Sequence, residues 1–270
     1  MRQADNTKSR QLLDENAIKC MLIDWLFEQG QLEDAVLINE MVVGGFSRRA
    51  DIAVANGKLM VFEIKSDFDT LRRLPGQLEA YQQRFDKVTI VTTPRFAKEV
   101  ADSSCKTVEI LEASVNASGQ ATLRTVRRGK TREIRTKALL ASFLTKVDIV
   151  TMLKASGITA STNQARDDLL AAIEKLSIKD VRASVLMAIK ARYKKSFLAF
   201  LEARTRKTLK IDLPKLSRFR TLPVSRSQSL ELKSSLSIAN RKPIDLHRLA
   251  ERWGSLPAEM PTYVLTKPKA

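Results

Sequence analysis

Histidine is nearly absent from this chain of 270 residues, in which the only one is His247, close to the C-terminal end. Ser-His-Asp hydrolases, HNH-type nucleases and metalloproteases with an H-E-x-x-H motif all depend on histidine. The chain also contains neither the P-loop pattern G-x-x-x-x-G-K-[ST] nor G-x-G-x-x-G. We therefore expect a chemistry that needs neither histidine nor a bound nucleotide.

Cysteine and long apolar stretches are scarce as well. The spacing of the two cysteines, Cys20 and Cys105, matches neither a zinc site nor a disulfide framework. No run of about 18 apolar residues exists, and the N-terminal sequence MRQADNTKSRQ lacks the apolar core of a signal peptide. These absences predict a soluble, cytoplasmic protein with no membrane partner.

Positive charge is present in excess, with a formal net charge of +17, and it is unevenly distributed. Residues 1–100 contain 14 basic and 15 acidic side chains, whereas residues 101–270 contain 33 basic and 15 acidic ones. Because neutralising backbone phosphates dominates nucleic-acid affinity, this asymmetry predicts a polyanion-binding half joined to a nearly neutral half. A highly charged, solvated surface is the alternative interpretation.

Two acidic residues and a lysine interrupt otherwise apolar sequence between residues 50 and 65. In VFEIK, Glu63 and Lys65 lie two residues apart and therefore project from the same side of a strand. ADIAVA, which begins near Asp51, is a second strand-like run, and the Ala-Asn-Gly sequence between the two runs is a turn signal. The pattern predicts a β-hairpin that carries three charged side chains.

The length of the hairpin loop decides which of these side chains meet. A two-residue loop would pair Asp51 with Phe62 and turn it away from Glu63. A three-residue loop would pair Val54 with Lys58 and place Asp51 on the face of Glu63. We predict the three-residue loop, or a bulge of the same effect, since the three charged groups would otherwise be split between two faces. Two carboxylates on one face form an oxygen-rich site suited to Mg²⁺ or Mn²⁺.

This arrangement resembles the PD-(D/E)XK nuclease superfamily. Asp51, followed on the next strand by Glu63-Ile64-Lys65, is the superfamily signature as it stands in this chain. The departure is Ala50, which stands where the pattern has proline. The resemblance implies that the two carboxylates and the Ile64 carbonyl hold Mg²⁺ or Mn²⁺, and that Lys65 stabilises phosphorane charge or positions water.

A second part of the resemblance follows the hairpin. Gln77 and Tyr81, one helical turn apart, are similar to the Q-x-x-x-Y element of the RecB-like branch and are implied to shape the site. With RRAD before and EIKSDFDTLRRLPGQLEAY after, residues 12–130 resemble a family of small nuclease-like proteins of bacteria and prophages. The implied activity is metal-dependent hydrolysis of DNA phosphodiester bonds. Taken alone, Tyr81 is better explained as a core aromatic, and only the resemblance places it in the site.

Two further acidic residues are candidate metal ligands. Glu15 lies in the first turn of a predicted helix over residues 12–29, where a carboxylate stabilises the helix dipole. In many nucleases of this fold a first-helix glutamate reaches the metal, so the resemblance adds Glu15 to the ligands. Glu40 lies in a predicted strand over residues 36–43, where its burial would be costly without a nearby cation. It is either a third acid of the site or a solvent-facing residue.

The predicted fold class is α/β: a restriction-endonuclease-like sandwich with a central mixed sheet flanked by helices, followed by a smaller all-α basic domain. The predicted domains are a nuclease-like domain over 1–136, a helical, possibly SAP-like nucleic-acid-binding domain over 137–204, and a basic, partly extended arm over 205–270. The helix, glycine turn and helix within residues 147–176 are similar to a SAP-type motif. A simple helical bundle is the alternative.

DNA is the predicted partner, and the oligomeric state is left open, with a dimer included. The third predicted helix, residues 179–204, is expected to expose its basic side chains. The candidate phosphate-binding residues are Arg48, Arg49, Arg127, Arg128, Lys194 and Lys195. The alternatives are a DNA-binding protein or regulator that keeps the nuclease fold without turnover, and an interaction module of a phage or defence system that binds an acidic partner.

Overall fold

The computed structural model describes residues 11–43, 48–116, 118–217, 241–243 and 263–265. The chain divides into two compact units, Met1–Arg220 and Thr221–Ala270. In the second unit the described residues are two short strands that pair antiparallel, with Arg241 opposite Leu265. The predicted arm beyond residue 217, including His247, otherwise lies outside the described residues.

The first unit begins with helix and strand in the predicted order. Its elements are α1 (Glu15–Glu28), β1 (Val36–Val43), β2 (Arg48–Ala55), β3 (Leu59–Lys65), α2 (Leu74–Gln82), β4 (Lys87–Thr92), α3 (Ala97–Ser103), β5 (Glu109–Val115) and β6 (Ala121–Arg127). Helices follow: α4 (Lys137–Ala141), α5 (Lys146–Ala155), α6 (Arg166–Ile173), α7 (Ile178–Ala203) and a 3₁₀ helix (Lys210–Leu216). The strands of the second unit are β7 (Arg241–Pro243) and β8 (Tyr263–Leu265).

A six-stranded mixed sheet forms the centre of the unit, with its strands in the order β1-β2-β3-β4-β5-β6. The β3-β4 and β4-β5 pairs are parallel, and the other pairs are antiparallel. Every residue of β3 is buried, as expected of a strand inside a sheet that helices cover. The α/β class and the mixed sheet agree with the prediction.

Local sequence explains where the helices begin and how they pack. Asp14 caps α1 by accepting a hydrogen bond from the Ala17 amide at 2.7 Å. Helix α1 then buries Ile18, Leu22 and Leu26, the stripe expected from the 3.6-residue period. None of the described helices combines the length and apolar character needed to cross a membrane.

The helices after residue 137 share one hydrophobic cluster with the sheet. Leu153 on α5, Ile173 on α6 and Phe200 on α7 are buried in the same cluster as Ile90 of β4. Leu213, in the region predicted as an arm, is buried there too, within the 3₁₀ helix. The predicted division into three domains remains a prediction.

Candidate metal and phosphate site

The β2-β3 hairpin carries the predicted charged residues on one face. Ala55 pairs with Leu59, so the loop has the predicted three residues, and Gly57 at its centre takes a left-handed φ of 92°. The predicted pairing of Val54 with Lys58 is wrong, because the loop starts one residue later and Val54 pairs with Met60. The Asn56 side chain anchors this loop by donating to the Gln31 carbonyl at 2.8 Å.

The register aligns three acidic residues across neighbouring strands. Ile52 pairs with Phe62 in β3 and with Asn39 in β1. Asp51, the residue before Ile52 in β2, therefore lies between Glu40 on β1 and Glu63 on β3. Neighbouring strands are about 4.8 Å apart, so the three carboxylates start from adjacent points of one sheet face.

Glu63 is held in a buried hydrogen-bond network, with an exposed fraction of 1%. Its Oε1 accepts from Lys65 Nζ at 2.7 Å, and its Oε2 lies 3.1 Å from the Tyr81 hydroxyl. Lys65 Nζ also donates to Gln77 Oε1 at 3.1 Å, and the Tyr81 hydroxyl donates to the Arg49 carbonyl at 3.0 Å. The predicted Gln77 and Tyr81 thus contact the predicted Glu63 and Lys65.

Burial raises the pKa of both acidic groups at the centre of this site, Asp51 and Glu63. Burial raises the pKa of Asp51 to about 8, and the charge of Glu63 adds to the effect. Burial also raises the pKa of Glu63, although Lys65 and Tyr81 oppose the shift. Asp51 Oδ2 accepts from the Ile64 amide at 2.7 Å. Ile64 therefore positions Asp51 through its N–H, whereas the resemblance implied a role for its carbonyl.

Glu15 and Glu40 meet Asp51 at the mouth of the site. Each of the three offers a carboxylate oxygen, and these oxygens lie within 4.8 Å of one another. Glu40 has a φ of 60°, which is unusual for a residue with a side chain in the middle of a strand. The Lys19 ammonium lies 2.7 Å from Glu15 Oε1 and also hydrogen-bonds to Glu40 Oε1.

These residues line one cavity of about 460 Å³. Its acidic lining comes from α1, from strands β1, β2 and β3 and from Asp69 just after β3, and its basic lining comes from four arginines and Lys65. The lining residues are Glu15, Glu40, Arg48, Arg49, Asp51, Glu63, Ile64, Lys65, Asp69, Arg72, Arg73, Gly76 and Gln77. A cavity that joins carboxylates to arginines suits a divalent cation together with a phosphate group.

The other predicted phosphate-binding residues lie elsewhere. The Arg127 guanidinium donates to the Ala101, Val108 and Cys105 carbonyls and to the Ser104 hydroxyl, so it holds β6 against α3 and β5. Arg128 is exposed just beyond β6.

Lys194 and Lys195 are exposed on α7, where Lys194 lines a second, mostly apolar cavity. None of these four residues lines the acidic cavity.

The expectation that the third predicted helix, residues 179–204, exposes its basic side chains is wrong for three of them. Arg182, Arg192 and Arg204 form ion pairs with Asp86, Asp148 and Asp24 respectively, and each is at most 16% exposed. These pairs join α7 to distant segments of the chain, which sequence spacing does not show.

Three residues of the site were missed from the sequence. Lys19 follows Glu15 by four residues, a spacing that indicates an ion pair on the helix surface, yet Lys19 is only 2% exposed. Arg72 and Arg73, just before α2, are exposed at the cavity. Their guanidinium groups have no hydrogen bond or ion pair within the described part of the chain. The Arg-Arg dipeptide beside the predicted site was the available signal.

The donor set fits a hard divalent cation. Glu15, Glu40 and Asp51 offer only carboxylate oxygens, as Mg²⁺ and Mn²⁺ prefer, and no histidine or cysteine lines the described cavity. Asp51 Oδ1 has no hydrogen-bond partner among the described residues. One acceptor therefore remains available at the point where the three carboxylates converge.

Comparison with known proteins finds similarity to a phage protein over most of the chain. A family model described as Bacteriophage P4 protein cII matches residues 8–217. Protein cII of Enterobacteria phage P4 is 37% identical over 265 residues, which cover 95% of this chain and 98% of that protein. A solved structure, a protein of unknown function from Silicibacter pomeroyi, is 17% identical. It covers 47% of this chain and 84% of its own, with a TM-score of 0.30.

Proposed function

The chain belongs to the Bacteriophage P4 protein cII family, and from this premise we propose that it is a metal-dependent nuclease that hydrolyses DNA phosphodiester bonds. The proposal includes a restriction-endonuclease-like arrangement of the sheet and its helices, and action in the cytoplasm. One observation carries it: Asp51, Glu63 and Lys65 from adjacent strands open, together with Glu15 and Glu40, into a cavity that arginines line.

Asp51, Glu15 and Glu40 would hold Mg²⁺ or Mn²⁺, with Glu63 behind them. A divalent ion supplies charge stabilisation to the phosphate and activates water for attack. Phosphodiester hydrolysis forms a bond from a water oxygen to phosphorus, breaks the bond to the leaving oxygen and moves a proton of the water, by way of solvent, to that leaving oxygen. The protein must therefore orient the phosphate and stabilise the negative charge that develops on its oxygens.

Lys65 is positioned to stabilise the negative charge that develops on the phosphate. Glu63 and Gln77 hold its ammonium at 2.7 and 3.1 Å, so its direction is set by two acceptors rather than by a flexible stem. A fixed cation at a reacting phosphate stabilises the charge that develops in the transition state. Arg72 and Arg73, at the cavity, would bind flanking phosphates.

The test is cleavage of labelled single-stranded, duplex and branched DNA, and of RNA, in Mg²⁺, Mn²⁺ or EDTA. We expect cleavage with either metal and none in EDTA. Lys65→Ala and Asp51→Asn should each lower the cleavage rate by at least about 100-fold while leaving DNA binding largely intact.

Arg124→Ala is the matched control, because Arg124 is exposed on β6 and does not line the cavity. It should cleave like the wild type. Equal cleavage by the wild type, Lys65→Ala and Asp51→Asn would show that this site does not hydrolyse nucleic acid.

A further inference from the structure

Lys19 is a buried cation inside the proposed metal site. It lies in the middle of α1, and its side chain is 3% exposed. Lysine is almost never buried to this extent unless it is paired, because an uncompensated ammonium loses its hydration. The neighbours that pair with it therefore explain why it is there.

Two carboxylates of the proposed site hold the Lys19 ammonium. It lies 2.7 Å from Glu15 Oε1 and hydrogen-bonds to Glu40 Oε1. The second oxygen of Glu40 pairs with Arg49 Nε at 2.5 Å. Two carboxylates around one buried ammonium compensate its lost hydration, so the pairing explains how a charged lysine is tolerated there.

A two-metal site needs carboxylates that are free to bridge two ions about 3.5–4 Å apart. Here the ammonium occupies Glu15 Oε1 and Glu40 Oε1. One ion can bind at Asp51 Oδ1, which has no partner among the described residues and lies where the three carboxylates converge. A second ion would have to bind Glu15 Oε1 and Glu40 Oε1 themselves, beside the ammonium and the Arg49 guanidinium, which would repel it.

We propose that the Lys19 ammonium takes the place of a second metal ion, so that the site binds one divalent ion per chain. This inference rests on the proposed function and specifies its metal content. Lys19 is a positioning residue: it holds Glu15 and Glu40 in place by charge, as a second ion would.

The test counts Mn²⁺ ions bound to the full chain, by electron paramagnetic resonance of free Mn²⁺ and by calorimetry. The wild type should bind one ion. Lys19→Met, of similar length without charge, should bind two, because Glu15 Oε1 and Glu40 Oε1, which the ammonium occupies in the wild type, become available to a second ion. Lys19→Arg, which keeps the charge, should again bind one.

Thermal unfolding gives a second readout that does not depend on catalysis. In EDTA, Lys19→Met should unfold at a lower temperature than the wild type, since Glu15 and Glu40 lose their counter-ion. Mn²⁺ should raise its unfolding temperature by more than it raises that of the wild type. Lys19→Gln serves the same purpose should Lys19→Met fail to fold.

Two ions in the wild type, or one ion in Lys19→Met and Lys19→Gln, would overturn the assignment of Lys19 and leave the nuclease proposal standing. No bound ion in any variant would overturn the metal centre itself. The ion count therefore separates failure of this inference from failure of the proposed function.

Discussion

At the scale of single residues, Asp51 shows how burial controls the site. It lies between Glu40 and Glu63, and its pKa is raised to about 8 by burial and by the charge of Glu63. In the metal-free protein Asp51 therefore keeps its proton near neutral pH. A divalent cation bound at the proposed site would displace that proton.

The raised pKa of Asp51 predicts a pH dependence of folding stability in EDTA. Between about pH 4 and pH 8 the folded chain holds a proton on Asp51 that the unfolded chain has released. This contribution is fully present below pH 4 and is lost as the pH rises through 8. Relative to the wild type, Asp51→Asn should gain at least about 1 kcal/mol of unfolding free energy between pH 5 and pH 8.5.

Urea unfolding followed by circular dichroism at both pH values measures this difference. Asp69→Asn, which changes a cavity-lining carboxylate outside the Asp51–Glu63 pair, is the control and should show no such gain. A constant difference between the wild type and Asp51→Asn at both pH values would contradict the raised pKa.

At the scale of elements, one ion pair joins α7 to the hairpin that carries the site. Asp86 Oδ2 accepts from the Leu59 amide at 2.7 Å, and its Oδ1 accepts from the Ile134 amide at 3.1 Å. Arg182 Nη1 and Nη2 bind the same two oxygens at 2.9 and 2.5 Å. The Asp86 side chain is 0% exposed, so this contact fixes the start of β3 against α7.

Arg182→Met should destabilise the chain by about 3–5 kcal/mol, because it leaves the buried Asp86 carboxylate without its cation. The matched control is Lys190→Met on the same helix, whose partner Asp34 is 96% exposed and whose loss should change stability little. Denaturant unfolding of both variants measures the two effects. Similar stability of the two variants would show that the buried pair does not join these elements.

At the scale of the whole molecule, the positive charge is divided between structural pairs and a free set. Four arginines form hydrogen bonds or ion pairs within the fold: Arg127, Arg182, Arg192 and Arg204. Arg72 and Arg73 remain exposed at the cavity, in the half of the chain that is nearly neutral overall. The pairing of each cation is therefore a better guide to a candidate phosphate-binding surface than the net charge of a segment.

DNA binding in EDTA should weaken steeply with salt, and the cavity arginines should account for part of the slope. Arg72→Ala with Arg73→Ala should reduce the slope of log K against log salt by about 2 for duplex DNA. Arg124→Ala should leave the slope unchanged, because its guanidinium pairs with Glu112 at 2.9 Å. Fluorescence anisotropy at graded salt measures the slopes, and equal slopes for all three proteins would place DNA elsewhere.

Local periodicity was enough to predict much of the fold. Alternation along VFEIK, with an Asn-Gly turn before it, predicted the hairpin and the shared face of Asp51 and Glu63. The bounds of β1 matched the prediction at residues 36–43, and α2 placed Gln77 and Tyr81 against Lys65 and Glu63. Side-chain direction within one strand or helix depends on backbone geometry alone, so these relations are readable from spacing.

Packing between distant segments decided the remainder. The ammonium of Lys19 meets Glu40, 21 residues away, and Arg182 meets Asp86, 96 residues away. Neither contact can be predicted from local residue spacing, because each depends on how a whole helix packs on the sheet. For the same reason the sequence could suggest basic residues as phosphate ligands, but only the tertiary structure decided which of them are already paired with carboxylates of the same chain.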